Sequence, residues 1–206
     1  MFKFISFGSG SCGNLFSLSS SLKFLGLECE VTGDKQKIKN SDKIILPGVG
    51  AFGDAVQKLH ETDLFDTIKA CAADGKYMLG ICLGMQLLFE KSYEYGEYDG
   101  LGLIKGSVCP FRGDISTSLK IPHMGWNKLN ISSPDDPIFK YVQNGDYMYF
   151  VHSFYAKNCD ENIIASAEYG VTVPALVKNK NVYGAQFHPE KSGEKGLRLL
   201  KAFAEL

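Results

Sequence analysis

The chain has 206 residues, with 22 basic and 23 acidic side chains and a formal net charge of −1. That length suits one ordinary domain, and the charge balance supplies no bulk positive field for nucleic acid or an anionic membrane. With 45% hydrophobic and 22% charged residues, wholesale disorder is excluded.

The longest apolar run lies between Lys76 and Glu90 and is interrupted by glycine, so no segment reads as a membrane span. Met1–Phe7 is apolar after one early lysine but turns to Gly and Ser at once. It is too short for a signal peptide and reads as a buried first strand, with a cytoplasmic location expected. The six cysteines are Cys12, Cys29, Cys71, Cys82, Cys109 and Cys159. They form no C-x-x-C pair and no zinc-spaced cluster with histidine, so no metal or other cofactor is expected. Small buried hydrophobes account for all but one of them.

In chain order, Phe2–Phe7 predicts a strand that ends in a Gly/Ser turn. Leu15, Leu18, Leu22 and Leu25 recur at helical spacing, with Gly26 as a C-terminal cap. Leu27–Val31 and Lys43–Leu46 predict strands, the latter stopped by Pro47-Gly-Val-Gly50. Ala51–Leu59 and Asp63–Ala73 are amphipathic and predict helices. Tyr77–Ile81 is a fully apolar strand, and Leu83–Phe89 reads as a helix directly behind it. Strands buried on both faces and alternating with helices imply a parallel sheet covered on both sides. Beyond residue 100 the pattern changes to short β-rich pieces: Gly106–Phe111, Lys128–Ile131, Tyr147–Val151, Ile163–Ala167, Val173–Val177 and Val182–Phe187. A final amphipathic helix is predicted over Glu194–Leu206.

Chemistry concentrates at Gly80-Ile-Cys82-Leu-Gly84, which follows an apolar strand and opens a helix. The pattern is the thiol version of a nucleophile elbow. Its glycines permit a sharp strand-to-helix turn that lifts the nucleophile to the carboxyl end of the sheet, where open α/β folds place their sites. The helix start favours a thiolate and supplies backbone N–H groups, Leu83 first, for an oxyanion.

A thiol nucleophile needs a base, and the chain has four histidines: His60, His123, His152 and His188. His60 lies in a polar helical stretch. His188, in Gln186-Phe-His-Pro-Glu190, ends an apolar strand, and Glu190 is placed to hold its imidazole and set the tautomer. His123 and His152 lack that context and are not assigned a catalytic part. Cys82, His188 and Glu190 thus make a candidate triad. Gly48, Val49 and Gly50 end another strand and offer N–H groups to a developing negative charge.

Taken together, Pro47-Gly-Val-Gly-Ala-Phe52, Gly80-Ile-Cys-Leu-Gly-Met-Gln-Leu-Leu-Phe89 and Gln186-Phe-His-Pro-Glu-Lys-Ser192 resemble the class I (triad) glutamine amidotransferases. Ile121-Pro-His-Met-Gly-Trp-Asn127 and Tyr149-Phe-Val-His-Ser-Phe-Tyr155 narrow the resemblance to the glutaminase-subunit branch of imidazole glycerol phosphate synthase. The resemblance implies an α/β, flavodoxin-like fold: one glutamine amidotransferase domain over residues 1–206, with a central, mostly parallel sheet, flanking helices and additional antiparallel strands.

It also implies hydrolysis of L-glutamine to L-glutamate and ammonia through a Cys82 thioester, with no cofactor. Gln86, Glu94, Ser153 and Phe154 would help hold the glutamine, with Glu94 on the α-ammonium. Gly48, Val49, Gly50 and Leu83 would furnish the oxyanion region. Read from its own neighbours alone, Glu94 belongs to a polar surface run, and His123 with Trp126 to a packed loop. The implied partner is a (β/α)8-barrel cyclase that takes up the ammonia as the other half of a heterodimer in histidine biosynthesis. Asn14, His123, Trp126, Tyr149 and Lys191 match positions that face or gate it.

One stretch departs from the branch. The turn Phe7-Gly-Ser-Gly-Ser-Cys-Gly-Asn14 is longer than the family's usual Gly-x-Gly-Asn type. That leaves room for a close variant that supplies ammonia to a surface-sugar amidotransferase. A regulatory module with a vestigial triad and a stand-alone cysteine hydrolase are weaker alternatives. All triad members are present, and the Met85-Gln86 continuation is unlike a peptidase.

Overall fold

In a computed structural model of the chain, residues 2–5 and 12–206 are described, with side chains from Leu15 onward. Residues 8–11 of the long first turn, and the side chain of Asn14, lie outside the described residues.

The elements in chain order begin with β1 (Phe2–Ile5), α1 (Cys12–Phe24), β2 (Cys29–Thr32), α2 (Lys35–Lys39), β3 (Lys43–Gly48), α3 (Phe52–Glu61), α4 (Leu64–Ala73), β4 (Tyr77–Cys82) and α5 (Leu83–Gln86). They continue with β5 (Phe89–Ser92), β6 (Tyr98–Asp99), β7 (Ile104–Pro110), β8 (His123–Lys128), β9 (Asn130–Ile131), β10 (Tyr147–His152), β11 (Phe154–Lys157), β12 (Ile163–Glu168), β13 (Thr172–Asn179), β14 (Val182–Ala185) and α6 (Gly193–Glu205). The main sheet runs β2-β1-β3-β4-β14-β13-β12-β9. It is parallel from β2 to β14 and antiparallel beyond. A second sheet, β11-β7-β5-β6, and a two-stranded ribbon, β10-β8, complete the described strands.

The centre of the main sheet is buried on both faces, as the unbroken apolar strands require. Ile44, Ile45 and Leu46 on β3 and Met78, Leu79 and Ile81 on β4 are all buried. On one face α3 and α4 pack Phe52, Leu59, Leu64 and Ile68 against Ile44, Leu46 and Met78. On the other, α1 and α6 pack Leu18, Leu22, Leu199 and Phe203 against Ile45, Leu79 and Tyr183. Each fully buried side chain of this kind contributes about 1.5–3 kcal/mol of transfer free energy. The Lys43 ammonium donates to the Phe203 and Ala204 carbonyls at 3.2 and 2.7 Å, which caps α6 with a cation at its carboxyl end.

Two expectations change. The helix anticipated over Leu83–Phe89 is a single turn, Leu83–Gln86, after which the chain becomes β5. Instead of serving further helical turns, the Leu87 and Leu88 carbonyls accept from the Leu101 and Leu103 amides at 2.8 Å. The second sheet thereby takes the segment away from the helix. The stretch 123–127, anticipated as a packed loop on its own reading, is strand β8, in register with β10 from His123↔His152 to Lys128↔Tyr147.

Candidate active site

Cys82 ends β4 and precedes α5 with φ +54° and ψ −110°. A non-glycine residue there costs on the order of 1–3 kcal/mol and persists only where its surroundings enforce it. The enforcement is visible at the flanking glycines. A Cβ on Gly84 would stand 1.6 Å from the Leu46 carbonyl oxygen, and one on Gly80 would stand 2.6 Å from the Gly84 oxygen. With neither side chain present, α5 presses against the ends of β3 and β4 and leaves Cys82, buried, at the edge of the cleft. Because α5 is one turn long, it offers backbone N–H groups rather than a macrodipole.

β14 lies beside β4 in parallel register, Gly184↔Gly80 and Ala185↔Ile81. His188, just past the end of β14, therefore emerges at the same sheet edge as Cys82. Its N–H donates to the Tyr149 carbonyl at 2.9 Å, and the 3₁₀ turn Pro189–Lys191 brings Glu190 back beneath the ring. Nδ1 of His188 and Oε1 of Glu190 are 2.8 Å apart, with both side chains 2% exposed. Ser192 Oγ donates to the His188 carbonyl at 2.6 Å and accepts from the Tyr149 amide at 3.0 Å, which clamps the turn to β10. Burial works against a charged His188. Hydrogen bonds and charge attraction from Cys82 and Glu190 outweigh it, and the imidazole is raised to about 9.

Cys82 and His188 border a cleft of about 340 Å³, at the small end of the range for ligand sites. Val49, Gly50, Leu83, Gln86, Glu94, Ser153, Phe154 and Lys191 line it with Cys82 and His188. Gly48 lies just behind the wall, opposite Cys82 in the β3–β4 register. Glu94, a solvated residue by its neighbours alone, lines the cleft half-buried. Its Oε2 accepts the Phe52 amide at 2.5 Å, at the start of α3. Burial raises its carboxyl above the ordinary value, the Phe52 N–H opposes this, and Asp54 adds to it. Gln86 uses its Nε2 to donate to the Phe154 carbonyl at 3.2 Å and to Gln186 Oε1 at 3.1 Å.

The partner-facing expectations divide. Trp126 is 55% exposed, and its ring stands 6.1 Å from that of Tyr149, its register partner across the ribbon. His123 is corrected: it is 3% exposed, stacked between Phe150 at 4.8 Å and Tyr169 at 4.1 Å. Strand alternation turns it to the inner face of β8, opposite Met124 and Trp126.

Tyr95, Val151 and His152 also line the cleft, and Gln186 Nε2 approaches the Cys82 sulfur at 3.8 Å. None of the four was a sequence candidate. Gln186 stood inside a quoted motif, but only the β14–β4 pairing brings it to the thiol. Among the described residues no cluster of His, Cys, Asp and Glu is suited to hold a metal ion, and no helix is long and apolar enough to cross a membrane.

Residues 11–205 match the family model for glutamine amidotransferase class-I. The chain is 48% identical over 195 residues to the imidazole glycerol phosphate synthase subunit HisH of Caldanaerobacter subterraneus subsp. tengcongensis, covering 94% of each chain. It is 50% identical over 194 residues to the subunit of the same name from Lactococcus lactis subsp. lactis, again covering 94% of each. A solved structure of PurLQS from Thermotoga maritima superposes with a TM-score of 0.74 at 23% identity, covering 99% of this chain and 97% of that one. This last likeness bears on the fold alone. On a match running through nearly its whole length, the chain belongs to the class-I glutamine amidotransferase family, in the branch of the HisH subunits.

Proposed function

We propose that residues 1–206 act as one glutaminase domain that hydrolyses L-glutamine to L-glutamate and ammonia for an imidazole-forming synthase of histidine biosynthesis. The observation that carries this reading is the meeting of a strained Cys82 with the buried His188–Glu190 pair at neighbouring strand ends.

In the reaction, His188 takes the Cys82 thiol proton and the sulfur attacks the side-chain amide carbon. The oxyanion that forms faces the Leu83 N–H and the Gly48–Gly50 segment. Collapse of the tetrahedral adduct breaks the C–N bond. The proton held by His188 goes to the leaving nitrogen, which departs as ammonia. Water, deprotonated by the same imidazole, then attacks the thioester. Cys82 leaves and recovers its proton, and glutamate is released. Glu190 holds the imidazole through Nδ1 and stabilises its charged form. Glu94 is placed to meet the α-ammonium of the substrate, while Ser153 and Phe154 form the opposite wall of the cleft.

The ammonia passes to a (β/α)8-barrel cyclase subunit. Exposed Trp126, with half-buried Tyr149 beside it on the outer face of the ribbon, is its anchor, because a large exposed aromatic suits the centre of an interface. Lys191 is both a lining residue of the cleft and next to the triad, so it stands where docking and chemistry meet. The HisH names of close relatives support the histidine reading over sugar amidation.

The test is glutamate release with and without the barrel subunit. Cys82→Ala is expected to abolish glutamine-dependent synthesis in the complex and leave synthesis from added ammonium salt intact. Full glutaminase activity in Cys82→Ala would sink the triad assignment. A complex with a cognate cyclase that formed but made no imidazole product would sink the histidine reading.

A further inference from the structure

The ribbon β8–β10 buries two histidines that the mechanism leaves unused, and their hydrogen bonds have only one consistent direction. His152 Nδ1 is 2.8 Å from the Phe154 carbonyl oxygen. A carbonyl can only accept, so Nδ1 carries the hydrogen. His152 Nε2 lies 3.0 Å from His123 Nδ1. In a neutral His152 that Nε2 is the acceptor, so His123 must donate from Nδ1. His123 Nε2 is then an acceptor as well, and Asn127 Nδ2 stands 3.1 Å away to supply the hydrogen.

The orientation of the Asn127 amide is settled independently. Its Nδ2 also donates to the Glu168 carbonyl at 2.9 Å, and its Oδ1 accepts from the Lys128 amide at 2.8 Å. Both ends of the chain therefore demand the same polarity. Burial holds both rings neutral, His123 lowered to about 4 and His152 to about 3. Phe111, Phe150 and Tyr169 pack around them.

The Phe154 carbonyl is where this chain reaches the site. It also accepts from Gln86 Nε2 at 3.2 Å, which obliges Gln86 to present its NH2 on that side. The same NH2 donates to Gln186 Oε1 at 3.1 Å. Gln186 then has its own NH2 left for the Cys82 sulfur, 3.8 Å away. Gln186 is fully buried, so a flipped amide would set two oxygens or two NH2 groups against each other with no solvent to relieve them.

We propose that His152, held as its Nδ1–H tautomer by His123 and Asn127, is a positioning residue that fixes the Phe154 carbonyl and, through Gln86 and Gln186, aims an N–H at the Cys82 sulfur. This deepens the glutaminase reading and rests on it. The chain starts one residue from Trp126 on the docking ribbon and ends at the nucleophile.

The experiment uses the full chain in complex with its barrel partner. His152→Asn keeps an N–H donor near the Nδ1 position, whereas His152→Leu removes it. The expected result for His152→Leu is a fall in kcat for glutamate release of roughly tenfold to a hundredfold, the size expected for a lost buried hydrogen bond. KM for glutamine should rise as well, because Gln86 and Phe154 also line the substrate cleft, and His152→Asn should recover most of both losses. Ring-nitrogen NMR of the unsubstituted chain at neutral pH should show hydrogen on Nδ1 and a bare Nε2 in both His123 and His152. An Nε2–H tautomer in either ring, or equal activity of His152→Leu and wild type, would overturn the proposal. So would a His152→Asn variant that folds yet is as slow as His152→Leu. The tautomer readout needs no turnover. If the unsubstituted complex released no glutamate, the glutaminase reading alone would fail and the NMR result would still decide the polarity.

Discussion

His188 and His152 border the same cleft and are almost equally hidden, at 1% and 6% exposed. They respond in opposite directions. His188 is raised to about 9, and His152 is lowered to about 3. Burial opposes the charged form in both, so burial does not distinguish them. What differs is the company each ring keeps. His188 meets a carboxylate at 2.8 Å and the Cys82 thiol. His152 meets a backbone carbonyl and a neutral imidazole. The thiol and the carboxyl beside His188 favour its charged form, whereas the carbonyl beside His152 is outweighed by burial, and charge repulsion from His123 and His188 adds to that.

The sharpest way to break this contrast is His188→Asn. Glutaminase activity of the complex should fall by roughly ten-thousandfold, as when one member of a catalytic unit is removed. Residual activity above a few per cent would mean another group is the working base.

Glu190→Gln should cost roughly a hundredfold to ten-thousandfold in kcat. It should also move the His188 titration downward, because the carboxylate that favours the imidazolium is gone. His152 should remain neutral in the same NMR titration. A His188 titration unmoved by the substitution would show that Glu190 does not set its charge.

The third prediction concerns stability against pH. His188 titrates above its ordinary 6.5, at about 9. A group raised in the folded state contributes stability that is complete below the unfolded value and lost as pH rises through the folded one. Between pH 6.5 and pH 9 the wild-type chain should therefore lose on the order of 1–3 kcal/mol, and Glu190→Gln should lose less, because only the Cys82 contact still favours its imidazolium. Urea unfolding at a series of pH values measures this, and parallel curves for the two proteins would count against the pairing.

The smallest effect is expected at the outer face of the ribbon. Trp126→Ala should change the stability of the isolated chain by no more than about 0.5 kcal/mol, because the ring is 55% exposed. The same substitution should weaken the barrel complex at least tenfold, measured by calorimetric titration. A large loss of stability would mean that Trp126 belongs to the core that holds His123.

Much of the candidate triad was legible because its parts are local. An unbroken apolar strand followed by Gly-x-Cys-x-Gly places a nucleophile at a strand end whatever surrounds it, and His188 and Glu190 are two residues apart. Glu94 was not legible from its neighbours. Its cleft position depends on the start of α3, 42 residues earlier in the chain. Gln186 was likewise hidden, since it meets Cys82 across 104 residues only when β14 pairs with β4. The end of the helix behind the elbow was misread because the carbonyls of Leu87 and Leu88 are taken by residues 101–104.

The sequence by itself determined the α/β class, the nucleophile elbow and the histidine–carboxylate pair. Periodicity, glycine sterics and nearest-neighbour spacing act within a few residues and do not wait for the fold. Only the tertiary structure decided which histidines are charged and which face of β8 meets solvent. It also decided which amides surround the thiol. Those properties depend on desolvation and on hydrogen-bond partners brought from distant segments, and a partner's identity is settled only once the strands have paired.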